Sequence, residues 1–159
     1  MTQAAVFFLL GSAAFLDWKA RRIPNLLVFS FMLAGFLWQL SRGQGIASLG
    51  GVGFAWAITF LPVLMNGMGM GDQKLLMAFG AWTSWGEVYE AVVWSLLSCL
   101  VVLACSPQTW RRLADNMVRL AAGWIAHHTL WFPSRQESAL SLPYAVHLLI
   151  GYGLITLSR

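Results

Sequence analysis

Ten Lys or Arg and six Asp or Glu are all the charges that this 159-residue chain carries, and they are bunched so that long runs have none. The charge-free runs cover 1–16, 23–41, 43–71, 75–86, 91–110 and 138–158. A helix crosses the hydrocarbon core of a bilayer with about 20 mainly apolar residues. Four of the runs supply that many, and 1–16 comes close if Asp17 and Trp18 stand at its interfacial end. The run 75–86 is short, because helical residues rise only about 1.5 Å each and it spans about 18 Å. Charged residues make up 10% of the chain and hydrophobic ones 58%, with a mean hydropathy of +0.67. Soluble domains carry about 25% charge, so this chain cannot coat a water-facing surface and a soluble globular monomer is excluded. Nine Trp, ten Phe and three Tyr exclude disorder as well. The expected fold is all-α, a polytopic membrane bundle of about six transmembrane helices forming a single domain over 1–159.

The basic residues orient that bundle. Spans at 2–16, 25–41, 46–66, 73–86, 90–106 and 140–158 put both termini outside. Lys19, Arg21, Arg22, Lys74, Arg111, Arg112, Arg119 and Arg135 then face the cytoplasm, against Arg42 and Arg159 outside. If 73–86 did not cross, four basic residues would lie inside and six outside, so the short crossing is kept. The net charge of +4 and pI near 9.6 therefore reflect membrane topology and lipid contact, and no nucleic-acid partner is expected. No basic residue precedes the first apolar run, which reads as a transmembrane helix and not as a secretory signal. The long connection 107–139 follows Pro107. Leu113, Met117, Leu120 and Trp124 recur there at helical spacing with arginines on other faces. That pattern predicts a basic amphipathic helix in the headgroup plane.

Which side chains carry chemistry? Asp115 and Glu137 read as solvated, and Glu87 and Glu90 as an exposed helix end. Asp17 closes the first span and Asp72 opens the fourth, which puts both at the cytoplasmic boundary. A carboxylate at that depth marks a functional site by default. Two within hydrogen-bonding reach share a proton, so one takes a proton from water while the other donates to a peptide carbonyl. For Asp17 alone, a pairing with Lys19, Arg21 or Arg22 is the structural alternative. Gly67, Gly69 and Gly71 alternate just before Asp72. Lacking Cβ atoms, they are expected to reach φ > 0 and to let a peptide backbone approach; the alternatives are a helix break or close helix packing. Asn25 is read either as a hydrogen-bonding group near the site or as a cap. His127 and His128 point about 100° apart on a helix and do not chelate one metal. His147 is read as packed or lining a polar gap. Cys99 and Cys105 form no Cys-x-x-Cys pair and are expected to be buried small hydrophobes. No metal and no cofactor is expected.

The segment Gly67 to Trp82, with its Gly-Met-Gly-Asp-Gln-Lys core, resembles the second aspartate motif of bacterial type IV prepilin peptidases. Asp17 followed by Arg21-Arg22-Ile23-Pro24-Asn25 resembles the first, and Pro143-Tyr144-Ala145 a further family feature. The resemblance implies a Gly-x-Gly-Asp aspartic endopeptidase of the bacterial inner membrane with its active site facing the cytoplasm. It would cleave the leader of prepilins or pseudopilins for pilus assembly or type II secretion. Asp17 and Asp72 would be the catalytic pair. Gly69 and Gly71 would shape the substrate loop with Asn25, and Lys74 would either assist the site or anchor its helix. The likeness is to the short form, without the N-methyltransferase region that longer members carry, and it implies no methylation by this chain. Which prepilin is cut, and the oligomeric state, are not implied. The competing class is a small proton- or ion-coupled transporter, or a pilus-assembly factor, using the same two aspartates.

Overall fold

A computed structural model describes residues 2–20, 23–65, 67–105, 111, 114–115, 117–118 and 144–158. Among the described residues there are six helices and no strand: α1 (Thr2–Ala20), α2 (Asn25–Ser41), α3 (Gly45–Leu64), α4 (Met70–Trp82), α5 (Trp85–Cys105) and α6 (Tyr144–Ser158). Each falls where an apolar run was expected. Two boundaries differ in a way that matters. α1 continues through Asp17 to Ala20, since no breaker stands before Pro24 and Lys19 suits a helix C-terminus. α4 starts at Met70, because the Gly69 carbonyl accepts the N–H groups of Asp72 and Gln73 at 3.1 and 3.2 Å. Both acids are therefore helical residues.

Met1–Ser98 with Pro143–Arg159 form one compact unit, and Cys99–Leu142 a second. Within the first, α4 is the inner helix. It packs against α2 and α3 and touches α1 and α6, with Leu75, Leu76, Ala78, Phe79 and Ala81 fully buried. Its 13 residues reach only about 20 Å at 1.5 Å each. A helix enclosed by others need not match the bilayer thickness by its own length.

Hydrogen bonds fix the helix directions. Trp38 Nε1 donates to Thr2 Oγ1 at 3.2 Å, joining the end of α2 to the start of α1, so these two run antiparallel. Lys74 Nζ donates to Asn25 Oδ1 at 3.1 Å, and Gln39 Nε2 to the Trp82 carbonyl at 2.9 Å. Start meets start and end meets end, so α2 and α4 run parallel. Ser48 Oγ donates to the Ala81 carbonyl at 2.8 Å, which sets α3 antiparallel to α4. Where α3 and α4 cross, Gly51 meets Gly80 backbone to backbone, and a Cβ on Gly80 would stand 2.5 Å from the Gly51 carbonyl oxygen. On the other side, Tyr152 of α6 packs at a tilt against Phe7 at 5.0 Å and meets Phe79 edge-on at 5.3 Å. Ser98 Oγ lies 2.9 Å from His147 Nδ1, tying α5 to α6.

α2 ends in a Schellman turn. Gly43 takes a left-handed φ of 71°, with Gly43 N–H bonded to the Leu40 carbonyl and Gln44 N–H to that of Gln39. Phe8, Phe15, Leu33, Leu37, Ile46 and Leu61 all point outward, an apolar surface that soluble monomers do not present. α3 and α5 are each long and apolar enough to cross a membrane, and α2 and α6 are shorter apolar helices. The surface is that of a membrane protein.

In the second unit, residues 99–105 complete α5, with Cys99 half-buried and Cys105 exposed. That corrects the expectation of two buried thiols: the buried residues of α5, Val88, Ala91, Val92 and Ser95, all lie in its first half. Of the connection 107–139 only Arg111, Ala114, Asp115, Met117 and Val118 are described, each helical and exposed. The expected amphipathic helix, with His127, His128 and Glu137, otherwise lies outside the described residues, as do Arg21 and Arg22.

Candidate active site

Asp17 sits in the last turn of α1, directly below its packed face. Val6, Leu9, Leu10, Ala13 and Ala14 are the buried residues of that helix. Asp17 continues their spacing at three and four residues, which is the same helix face. Asp72 stands in the same relation to α4, three, four and seven residues ahead of the fully buried Leu75, Leu76 and Phe79. Both acids are half-buried, while Trp18 and Lys19 beside Asp17 are exposed.

The helix directions bring the two acids to one end of the bundle. α1 runs antiparallel to α2 and α2 parallel to α4, so the C-terminal turn of α1 is level with the first turns of α2 and α4. The chain confirms this locally: Ile23, six residues after Asp17, packs on Gly71, with 3.9 Å between its Cβ and the place of a Cβ on that glycine. Since α1 and α4 also touch, the carboxylates extend the facing interiors of two packed helices at the same end.

The glycines act differently from the expectation. Among the described residues only Gly43 has positive φ, so neither Gly67, Gly69 nor Gly71 uses the left-handed region. Gly69 is the extended N-cap of α4, with φ −72° and ψ 141°. The Asp72 carboxylate folds back over it, and Oδ2 lies 3.0 Å from where a Cβ would stand. This is the capping-box position, where an acid complements the positive end of the helix. Gly71 lies inside the first turn of α4, so it is not part of an extended strand. Gly67 and Met68 both donate to the Pro62 carbonyl, at 2.8 and 3.2 Å, which folds the segment against the end of α3.

Asn25 and Lys74 are joined directly, and the Lys74 ammonium also lies 5.8 Å from the centre of the Phe29 ring. Asn25 therefore does not cap: no side chain caps α2. Phe29 went unnoticed in the sequence, although its place four residues after Asn25 puts it on the same helix face. Gln39 also went unnoticed, Trp82 was marked only as the end of the second motif, and His147 proves to be a packed residue bonded to Ser98. Among the described residues no three His, Cys, Asp or Glu side chains gather as a metal site.

Fold and site together define a helical membrane protein with two carboxylates at one end of its bundle. The model of the type IV leader peptidase family matches residues 4–105, and the chain belongs to that family. The match includes Asp17, Asn25, Gly69, Gly71, Asp72 and Lys74. Three proteins named prepilin leader peptidase/N-methyltransferase are similar to it. That of Pectobacterium carotovorum subsp. carotovorum is 31% identical over 123 residues, 70% of this chain and 43% of that protein. That of Burkholderia pseudomallei (strain K96243) is 30% identical over 105 residues, 60% and 33% of the two chains. That of Aeromonas hydrophila is 25% identical over 138 residues, 78% and 47%. The chain spans less than half the length of these relatives. No solved structure gives a significant match. The transporter reading is not favoured by these relationships.

Proposed function

We propose that this chain is a leader peptidase in which Asp17 and Asp72 form the catalytic pair. The observation that carries the reading is the position of both acids, at one end of the bundle on the packed faces of α1 and α4. One carboxylate, ionised, removes a proton from water as the water oxygen attacks the scissile carbonyl. The other, protonated, donates to the carbonyl oxygen and the tetrahedral adduct forms. Collapse breaks the C–N bond: the proton taken from water passes to the leaving amine, and a hydroxyl of the adduct returns its proton to the second carboxylate as the new carbonyl forms. The pair needs neither metal nor covalent intermediate. Partial burial strengthens each of these interactions relative to open water.

The substrate class that fits is the prepilins, which the similar proteins carry in their names, or the pseudopilins. In this reading residues 1–159 are one peptidase domain of the bacterial inner membrane. Its six helices cross, its carboxylates face the cytoplasm, and segment 107–139 lies along the interface. The excess of Lys and Arg on that side supports the orientation. The chemistry serves pilus assembly or type II secretion.

The test is cleavage of a co-expressed prepilin, read as a mobility shift in a host whose own peptidases are deleted. Wild type should process it. Asp17→Asn and Asp72→Asn should each lower the rate about 100-fold or more, the scale of general acid–base catalysis, at unchanged membrane abundance. Processing that survives both substitutions places the chemistry elsewhere.

A further inference from the structure

We propose that Lys74 is a positioning residue, which with Asn25 and Phe29 clamps the first turn of α4 to α2 and so holds the Asp72 carboxylate in its working direction. This rests on reading Asp72 as one of the catalytic pair. Lys74 follows Asp72 by two residues, about 200° around an α-helix, so its side chain leaves from the opposite face and is not the counter-ion of that acid. It reaches α2 instead, where Asn25 Oδ1 accepts from Nζ at 3.1 Å and the Phe29 ring lies 5.8 Å beneath the charge. Asn25 and Phe29 are four residues apart on one face of α2, so an amide oxygen and an aromatic face meet the ammonium together.

The clamp has a counterpart at the far end. There Gln39 bonds the Trp82 carbonyl, and Trp82 Nε1 donates to the Phe31 carbonyl at 2.8 Å. Leu75, Leu76 and Phe79 seat the middle of α4 by shape, but its first turn leads out of the core. An exposed polar tie adds little stability. Its effect is geometric, because displacing a reacting group by about 1 Å costs on the order of 100-fold in rate.

The structure supplies a reporter that does not depend on activity. Ile23 Cβ stands 3.9 Å from the Cβ place on Gly71, inside the roughly 3.5–4.5 Å range of disulfides. In full-length protein with Cys99→Ser and Cys105→Ser, the pair Ile23→Cys and Gly71→Cys should oxidise readily. Adding Lys74→Met or Asn25→Ala should slow that cross-link about fivefold, and Lys74→Arg should restore it. In protein without the added cysteines, Lys74→Met and Asn25→Ala should each lower kcat about tenfold with KM within about twofold. The double variant should be no worse than either single one, since both break the same contact.

An unchanged cross-linking rate overturns the clamp, and so do additive losses. A raised KM at normal kcat overturns it as well, by making Lys74 a substrate contact. If wild type cleaves no prepilin, the peptidase reading falls while the cross-link still decides the clamp.

Discussion

Asp72 and its neighbours show how one missing methyl group can set a carboxylate. The oxygen 3.0 Å from the Cβ place on Gly69 leaves less room than ordinary van der Waals contact, whereas a Cβ on Gly71 would meet Ile23 at an ordinary 3.9 Å. Gly69→Ala should therefore push the carboxylate aside by a few tenths of an ångström and lower the cleavage rate about tenfold. Gly71→Ala should stay close to wild type, while Gly71→Leu should be impaired because its longer side chain extends into the space beside Ile23. Rates of prepilin processing at matched abundance check this order, and a harmless Gly69→Ala alongside a damaging Gly71→Ala would reverse the account. The sequence marked all these glycines alike. It could not rank them, because their roles differ by which neighbour occupies the space.

At the scale of elements, α4 depends on contacts that leave no periodic trace. Gly80 meets the backbone of Gly51, and a Cβ there has no flexible side chain to push away. Gly80→Ala should destabilise the α3–α4 crossing by about 1–3 kcal/mol, the usual cost of overpacking. Gln39→Leu removes the donor to the buried Trp82 carbonyl and should cost about 1–3 kcal/mol by leaving that group unpaired. Thermal unfolding in detergent measures both, and a Gly80→Ala protein as stable as wild type would show that the helices separate freely. The existence and approximate limits of the helices were legible from charge-free runs. Their ends were less so: α1 runs past Asp17 because no breaker stands before Pro24, and α4 starts before it was expected to because the Gly69 carbonyl opens its hydrogen-bond ladder.

For the whole molecule, the proposed orientation makes one end of the bundle cytoplasmic. In protein with Cys99→Ser and Cys105→Ser, Ala20→Cys, beside Asp17, should react with a membrane-impermeant thiol reagent only after cells are opened. Ser41→Cys, at the far end of α2, should react in spheroplasts of intact cells. Both positions are exposed, so burial does not confuse the readout. The reverse pattern would turn the bundle over and put the carboxylates on the wrong side for a cytoplasmic leader.

By itself the sequence determined that this chain is helical and membrane-like. Ten cations and six acids among 159 residues leave no other surface open to it. It also singled out Asp17 and Asp72, because charges at the margin of apolar spans are costly and few. It could not say that Asp17 extends the packed face of α1, that Lys74 turns away from Asp72 toward Asn25, or that Gly71 faces Ile23. Those relations join residues far apart in the chain. Helix direction, rotation and register fix them, and those three quantities are set when side chains from different helices compete for the same space.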